Sequence, residues 1–225
     1  MRSIRAVIFD MDGLLIDTEP VWREAEMAVL QTVGLRLTDE QCMETMGVPI
    51  GEIVRGWFAV HPWTGPSVDE VTQRIEEYVI DRVLTTGEPM AGVCDALEMV
   101  RLSGLPIAIA SSSSEALINA VIQRLNIGAY IQVICSGQQE AQGKPHPAVY
   151  LSTARRLGVD PSACLALEDS PNGVLAAKAA GMYCIVVPDP YMAGDPRMNE
   201  ADLRLGSLEE FSPRLLSGIA EARIS

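Results

Sequence analysis

Positive charge is scarce in this sequence, which has 17 Lys and Arg against 30 Asp and Glu and a formal net charge of −13. Such a chain repels polyanions, which argues against a nucleic-acid partner or an anionic membrane. It also repels a phosphorylated metabolite, so a site for one requires local positive charge. No apolar run is long enough to cross a bilayer, and the first ten residues leave no room for a signal peptide. We therefore expect a monomeric, cytoplasmic protein.

Histidine and cysteine are too few and too scattered for the common metal and redox sites. His61 and His146 lie in different regions, which excludes the ligand spacing of a zinc site. The five cysteines are odd in number and form no Cys-x-x-Cys pair, so we expect buried thiols rather than disulfides. The sequence also lacks the Gly-x-x-x-x-Gly-Lys-[Ser/Thr] motif of P-loop proteins and the Gly-x-Ser-x-Gly motif of serine hydrolases.

The sequence does contain a regular alternation of apolar runs and amphipathic segments. The run Ala6–Phe9 is typical of a parallel strand that is buried on both faces. Similar runs begin at Ile107, Ile131, Cys164 and Tyr183, and helical patterns separate them. We therefore predict an α/β fold with a Rossmann-like parallel sheet.

Helices alone are predicted in a long segment that follows the first strand. Capping-box patterns begin at Thr38 and Ser67, and apolar residues recur at helical spacing around them. This interruption of the alternating pattern predicts two domains. Residues 1–17 and 84–225 would form a catalytic core, and residues 18–83 would form an inserted all-helical cap.

Polar residues follow four of the predicted strands, at the edge where parallel sheets bind their ligands. In chain order they are Asp10 and Asp12, Ser111 and the serines after it, Glu168 with Asp169 and Ser170, and Asp189. Asp10 and Asp12 can divide the work of nucleophile and proton carrier. An Asp-x-Asp-Gly turn alone is weak evidence, since most acidic turns are merely solvated. With Asp169 it becomes a set of oxygen donors that suits Mg²⁺.

Lys144 is one of only two lysines in the chain, the other being Lys178. It lies in a Gly-Lys-Pro turn between two predicted strand ends and offers a point charge to a phosphate oxygen or a carboxylate. An exposed loop lysine is the ordinary interpretation, but the acidic chain gives a cation near carboxylates more weight. Ser111 and the hydroxyls after it precede a predicted helix, where they could form an anion site or act only as a helix cap.

Four segments, in order, resemble the motifs of the haloacid dehalogenase superfamily. They are FDMDGLLIDTE, IAIAS, GKPHP and LEDSPNGVLAAKAAGM. The resemblance covers the whole chain. Its predicted helical segment resembles the cap of the subfamily that contains β-phosphoglucomutase and many sugar-phosphate phosphatases. The segments DMDGLLIDTEPVW, PWTGPS and ALEDSPNGVLAAKAA resemble those of the bacterial hexitol and 2-deoxyglucose-6-phosphate phosphatases.

The resemblance implies a role for each candidate residue. Asp10 would be the nucleophile and a ligand of Mg²⁺, for which Mn²⁺ or Co²⁺ could substitute. Asp12 would protonate the leaving alcohol and then activate water, while its backbone carbonyl contacts the metal. Asp169 would complete the protein ligands, and Glu168 would support the metal's water shell. The groups that would hold the phosphoryl group, besides Asp10 and Asp12, are Ser111, the Ser112 amide and Lys144.

The implied reaction is Mg²⁺-dependent hydrolysis of a small phosphorylated metabolite through an aspartyl-phosphate intermediate. Its substrate would be a hexose 6-phosphate, 2-deoxyglucose 6-phosphate or a hexitol phosphate. A β-phosphoglucomutase-like phosphomutase is an alternative, although Ile50 and Trp22 stand where such a mutase has its cap arginine and histidine. A dehalogenase would lack Asp12. A non-catalytic sugar-phosphate-binding protein is the alternative from another class. Residues 47–51 and the loop 63–65 are candidates for contacting the leaving group.

Overall fold

A computed structural model describes residues 3–218 of the chain. Its centre is a sheet of six strands, all parallel to their neighbours, in the order β3-β2-β1-β4-β5-β6. The strands are β1 Ala6–Phe9, β2 Ile107–Ser111, β3 Ile131–Ser136, β4 Cys164–Glu168, β5 Tyr183–Val186 and β6 Leu203–Arg204. The α-helices are α1 Glu19–Thr32, α2 Asp39–Met43, α3 Ile50–Val60, α4 Val68–Thr86, α5 Val93–Leu102, α6 Glu115–Leu125, α7 Ala148–Leu157, α8 Pro171–Ala179 and α9 Pro213–Gly218. The predicted fold class is confirmed.

The two faces of the sheet carry side chains of different size. Large residues such as Phe9 and Ile109 project to one face and belong to a cluster that includes α5, α6 and helices α1, α3 and α4. Small residues such as Ala108 and Ala166 project to the other face, where they pack against α7 and α8. Every residue of β1, β2 and β4 is buried, which explains their unbroken apolar sequences.

Helices α1 to α4, residues 19–86, all stand between β1 and α5, and we call them the helical insert. None of residues 18–83, all of which the structure describes, belongs to a strand. Both predicted capping boxes are confirmed, because Thr38 and Ser67 each accept the backbone N–H three residues ahead. The division into two domains stays a prediction.

Strand β6 is the one strand of the described region that the sequence pattern did not indicate. It has two residues and pairs only with β5 at the edge of the sheet, so it is too short to show periodicity. All five cysteines are free thiols, and four of them are buried, as expected. No helix within residues 3–218 has the length and apolar character needed to span a membrane.

The chain reverses its direction of travel across the sheet at β1. Strands β2 and β3 lie on one side of β1, and β4 to β6 lie on the other. Ligands of open α/β sheets bind beyond the carboxyl ends of the strands at such a point. Asp10 follows β1, and its N–H donates to the carbonyl of Leu167 in β4 at 2.9 Å. The topology therefore places the acidic residues after β1 and β4 side by side.

Candidate active site

Asp10, Glu168 and Asp169 form a buried cluster of carboxylates at the ends of β1 and β4. One oxygen atom of each lies within 4.8 Å of the others, and none of the three residues is more than 6% exposed. Two glycines make this approach possible. A Cβ atom at Gly13, whose φ is +77°, would collide with the Asp169 carboxylate, and one at Gly173 would collide with that of Glu168. The cluster therefore depends on residues that have no side chain.

Lys144 bridges two of these carboxylates. Its Nζ atom lies 2.5 Å from Asp10 Oδ1 and 2.6 Å from Glu168 Oε1, and its side chain is 5% exposed. Tyr150 donates its hydroxyl to Glu168, and its ring centroid lies 5.0 Å from the lysine Nζ. Burial opposes the charged form of Lys144, but the carboxylates of Asp10 and Glu168 raise its pKa above the ordinary value. The site therefore contains a fixed cation.

One lysine leaves this group of carboxylates short of positive charge. Burial raises the pKa of Asp10 to about 8; Lys144 opposes this rise, whereas Glu168 and Asp12 add to it. Burial, followed by the charges of Asp10 and Glu168, raises the pKa of Asp169 well above its ordinary value. Buried carboxylates without compensating charge are costly. Clustered carboxylate oxygens are the ligands that Mg²⁺ takes in proteins, so the donor set fits a divalent cation.

Asp12 is held by hydroxyl groups instead. Thr18 Oγ1 donates to Asp12 Oδ1 at 2.6 Å, and Ser113 Oγ and Ser111 Oγ donate to Oδ2 at 2.7 and 3.1 Å. Its carboxylate is not among the clustered oxygens. These hydrogen bonds orient a carboxylate at the cavity wall, where it can exchange a proton with a bound group.

Ser111 and Ser112, the serines predicted to hold a phosphoryl group, differ in their surroundings. Ser111 ends β2, is fully buried, and accepts the N–H of Ser113 at 3.0 Å. Ser112 is exposed and lines the cavity together with Ser113. The predicted roles of both serines stay predictions.

A cavity of about 1080 Å³ lies between these groups and the helical insert. From the core it is lined by Asp10, Asp12, Lys144 and Asp169, and from the insert by Trp22, Arg23, Glu26 and residues 47–51, among others. The loop 63–65 is not part of this lining. Trp63 instead donates its indole N–H to the carbonyl of Pro66 and packs edge-on against Phe58.

Sequence reasoning missed three residues that the structure places at the site, namely Thr18, Glu19 and Tyr150. Thr18 is the N-cap residue of α1, but its hydroxyl makes no capping bond and donates to Asp12. Glu19 lines the cavity, and its pKa is raised to about 7 by burial, followed by the charges of Asp12 and Asp189. These contacts join residues distant in sequence or separated by a turn, so no local pattern indicates them.

The fold and the site together define a class of enzyme. It comprises hydrolases with a parallel α/β fold in which carboxylates at the switch point of the sheet face a cavity beneath inserted helices. The chain belongs to the haloacid dehalogenase-like hydrolase family, whose model matches residues 7–187. This confirms the family that the motifs resemble.

Individual relatives cover four fifths of the chain or more. It is 41% identical over 218 residues to hexitol phosphatase B of Escherichia coli (strain K12), covering 96% of this chain and 98% of that protein. It is 35% identical over 185 residues to a phosphorylated carbohydrates phosphatase of Thermotoga maritima, covering 80% and 82%. The structure of CbbY from Rhodobacter sphaeroides in complex with phosphate superposes with a TM-score of 0.83 at 28% identity, covering 93% and 96%.

Proposed function

We propose that this enzyme hydrolyses phosphate monoesters of small sugars or sugar alcohols, of the hexose 6-phosphate, 2-deoxyglucose 6-phosphate or hexitol phosphate type. The observation that carries the proposal is the Asp10 carboxylate, which lines the cavity, lies 2.5 Å from the ammonium of Lys144 and has Asp12 two residues ahead. The relatives named as phosphatases of hexitols and of phosphorylated carbohydrates support the substrate class.

Asp10 would attack phosphorus while Asp12 gives a proton to the leaving oxygen. The bond from phosphorus to the Asp10 oxygen forms, the bond to the leaving alcohol breaks, and the alcohol departs neutral. In the second half, Asp12 takes a proton from a water molecule that attacks the aspartyl phosphate. The bond to Asp10 then breaks, which releases inorganic phosphate, restores the Asp10 carboxylate and leaves Asp12 with a proton, as at the start.

Attack by a carboxylate on a phosphate dianion requires cations. Lys144 supplies one, and we propose that the Ser111 hydroxyl and the Ser112 amide add hydrogen-bond donors to the transferring group. Asp10, Asp169 and the Asp12 carbonyl would hold Mg²⁺, or Mn²⁺ or Co²⁺ in its place, with Glu168 in support. Such a cation neutralises charge on the phosphoryl oxygens.

Residues 18–83, which contain all of the helical insert except the end of α4, would serve as the cap over a core of residues 1–17 and 84–225. Gln138 Nε2 of the core donates to Glu76 Oε1 of the insert at 2.7 Å, and both residues line the cavity. A closed cap would exclude bulk water, so that the aspartyl phosphate meets only the molecule that Asp12 activates.

The direct test is the substitution Asp10→Asn. Phosphate release from sorbitol 6-phosphate and 2-deoxyglucose 6-phosphate should fall at least about 1,000-fold, because an amide cannot replace the nucleophile. Circular dichroism should show an unchanged fold. Asp17→Asn, which neutralises an exposed aspartate outside the cavity lining, is the matched control and should keep full activity. A folded, active Asp10→Asn enzyme would refute the mechanism.

Removal of divalent cations tests the metal proposal separately. EDTA should stop turnover, and added Mg²⁺ should restore it, since three buried carboxylates then regain their counter-charge. Turnover that persists in EDTA at the original rate would exclude a metal requirement.

A further inference from the structure

The helical insert presents two polar side chains to the cavity, and each has one buried atom without a hydrogen-bond partner. Arg23 and Glu26 lie three residues apart on α1, and therefore on one face of it, and both line the cavity. Within residues 3–218, neither Arg23 Nη1 nor Glu26 Oε2 has a hydrogen-bond partner, although both atoms are buried. The Glu26 residue is only 4% exposed.

Neighbouring residues form hydrogen bonds with both side chains, but one polar atom of each side chain is left without a partner. Arg23 Nε donates to Asp39 Oδ1 at 2.9 Å, and Glu26 shares a hydrogen bond with Cys42. No ion pair among the described residues joins Arg23 to Glu26. A buried polar atom left unsatisfied costs roughly 1–3 kcal/mol, so native proteins contain few of them. Two such atoms on one wall of one cavity indicate a place where a ligand completes the bonds.

The position of the two residues suits a substrate whose phosphate lies at Asp10. Thr18 contacts Asp12, and α1 begins at the next residue. Arg23 and Glu26 follow Thr18 by roughly 7 and 12 Å along the helix, at about 1.5 Å per residue. These distances are comparable with the distance from the phosphate to the far end of a phosphorylated chain of five or six carbons.

We propose that Arg23 and Glu26 select the substrate by binding hydroxyl groups of the leaving alcohol, at the end remote from phosphorus. One hydroxyl would accept from Arg23 Nη1, and another would donate to Glu26 Oε2, as adjacent hydroxyls of a sugar or polyol can. A second phosphate or a carboxylate could accept from Arg23 but would be repelled by Glu26. The pair would therefore favour monophosphates of uncharged polyhydroxylated alcohols over bisphosphates and phosphorylated acids. This inference rests on the proposed phosphatase function and assigns residues to its specificity.

The test compares substrates with and without hydroxyl groups. Phosphate release is measured on sorbitol 6-phosphate, phenyl phosphate and 2-phosphoglycolate with the wild type, Glu26→Gln and Arg23→Gln. The ratio of kcat/KM for sorbitol 6-phosphate to that for phenyl phosphate should fall at least about 10-fold in both variants, because a site built to bind hydroxyls discriminates through those bonds. Glu26→Gln should also lower the ratio of sorbitol 6-phosphate to 2-phosphoglycolate, since the repelling charge is gone.

Glu40→Gln is the matched control, because it removes the same charge from an exposed residue of the insert that does not line the cavity. Its substrate ratios should stay at the wild-type values.

Unchanged ratios in both Arg23→Gln and Glu26→Gln would overturn the inference, and so would equal losses on sorbitol 6-phosphate and phenyl phosphate. A Tm of Glu26→Gln at or above that of the wild type would support a binding role over a structural one. If the wild type hydrolyses none of the esters, the proposed function fails; if it hydrolyses them with unchanged ratios in the variants, only the assignment of this pair fails.

Discussion

The two sides of the cavity differ in how completely their polar groups are bonded. On the core side, Lys144 lies within 2.6 Å of both Asp10 and Glu168. On the insert side, Arg23 and Glu26 each keep one buried atom unbonded. Groups that act on the phosphate of every substrate can be arranged in advance. Groups that choose among leaving alcohols gain selectivity only if the correct ligand completes their bonds. Under the proposed function, this difference would separate the groups that carry out the reaction from the groups that determine substrate specificity.

Among the substitutions that test this difference, the largest effect is expected for Lys144→Met on the core side. Phosphate release should fall at least about 100-fold, because the transferring group loses a fixed cation. The protein should also lose about 3–5 kcal/mol of unfolding free energy, since two buried carboxylates lose their partner. Enzyme assays and urea-induced unfolding measure the two losses.

Lys178, the only other lysine, provides the control for that substitution. Its ion pair with Asp202 is closer to solvent, with the lysine side chain 26% exposed. Lys178→Met should therefore cost about 1 kcal/mol and leave activity unchanged. Equal losses of stability from the two lysine variants would contradict the account that Lys144 compensates the charge of two buried carboxylates.

A smaller effect is expected for Gly173→Ala at the start of α8. The added Cβ would collide with the Glu168 carboxylate, so Glu168 and its partner Lys144 must shift. We expect kcat to fall about 10- to 100-fold, since misplacement of about 1 Å has that consequence in active sites. Gly143→Ala, where an added Cβ has no neighbour within 4 Å among the described residues, should leave kcat unchanged. Full activity of Gly173→Ala would show that the cluster tolerates displacement.

The last effect is one on stability alone, and it concerns the pH dependence of stability on the insert side. Burial raises the pKa of Glu26 from 4.5 to about 7, so the folded protein binds this proton more tightly than the unfolded chain does. The resulting stabilisation is fully present below pH 4.5 and is lost as the pH rises through 7. A shift of this size corresponds to ~3 kcal/mol.

The substitution Glu26→Gln isolates this effect, because the variant has no proton to lose at this position. Urea unfolding at intervals between pH 4.5 and 8 should show the stability of the variant rising relative to that of the wild type as the pH increases. If the stability difference between the variant and the wild type does not vary with pH, then burial does not raise the pKa of Glu26. That result would remove the contrast between the core side and the insert side of the cavity.

The parts that the sequence predicts well are those that depend on local patterns. Strand β1 begins and ends at the predicted residues, and β4 begins at the predicted residue, Cys164. These strands are buried on both faces, so their apolar runs stop where the chain reaches the cavity. Asp10 and Asp169 are recognisable for that reason, since each follows such a run.

The parts that could not be predicted depend on contacts between distant segments. Tyr150 lies on α7 and reaches Glu168 at the end of β4, across a packed interface that no spacing records. Glu26 lies on α1 beside the apolar positions Ala25 and Val29, and only the fold shows that it is buried and faces the cavity. The chemistry at strand ends is thus readable from sequence, whereas the specificity of the cavity requires the structure.

The most direct test of the central claim is to trap the phosphorylated enzyme during turnover. Sodium borohydride cleaves an aspartyl phosphate reductively, and peptide mass spectrometry then locates the altered residue. With sorbitol 6-phosphate and Mg²⁺ present, the account predicts modification of Asp10 alone, dependent on substrate and absent from Asp10→Asn. Modification at another residue, or an unmodified Asp10 in enzyme quenched during rapid turnover, would contradict it.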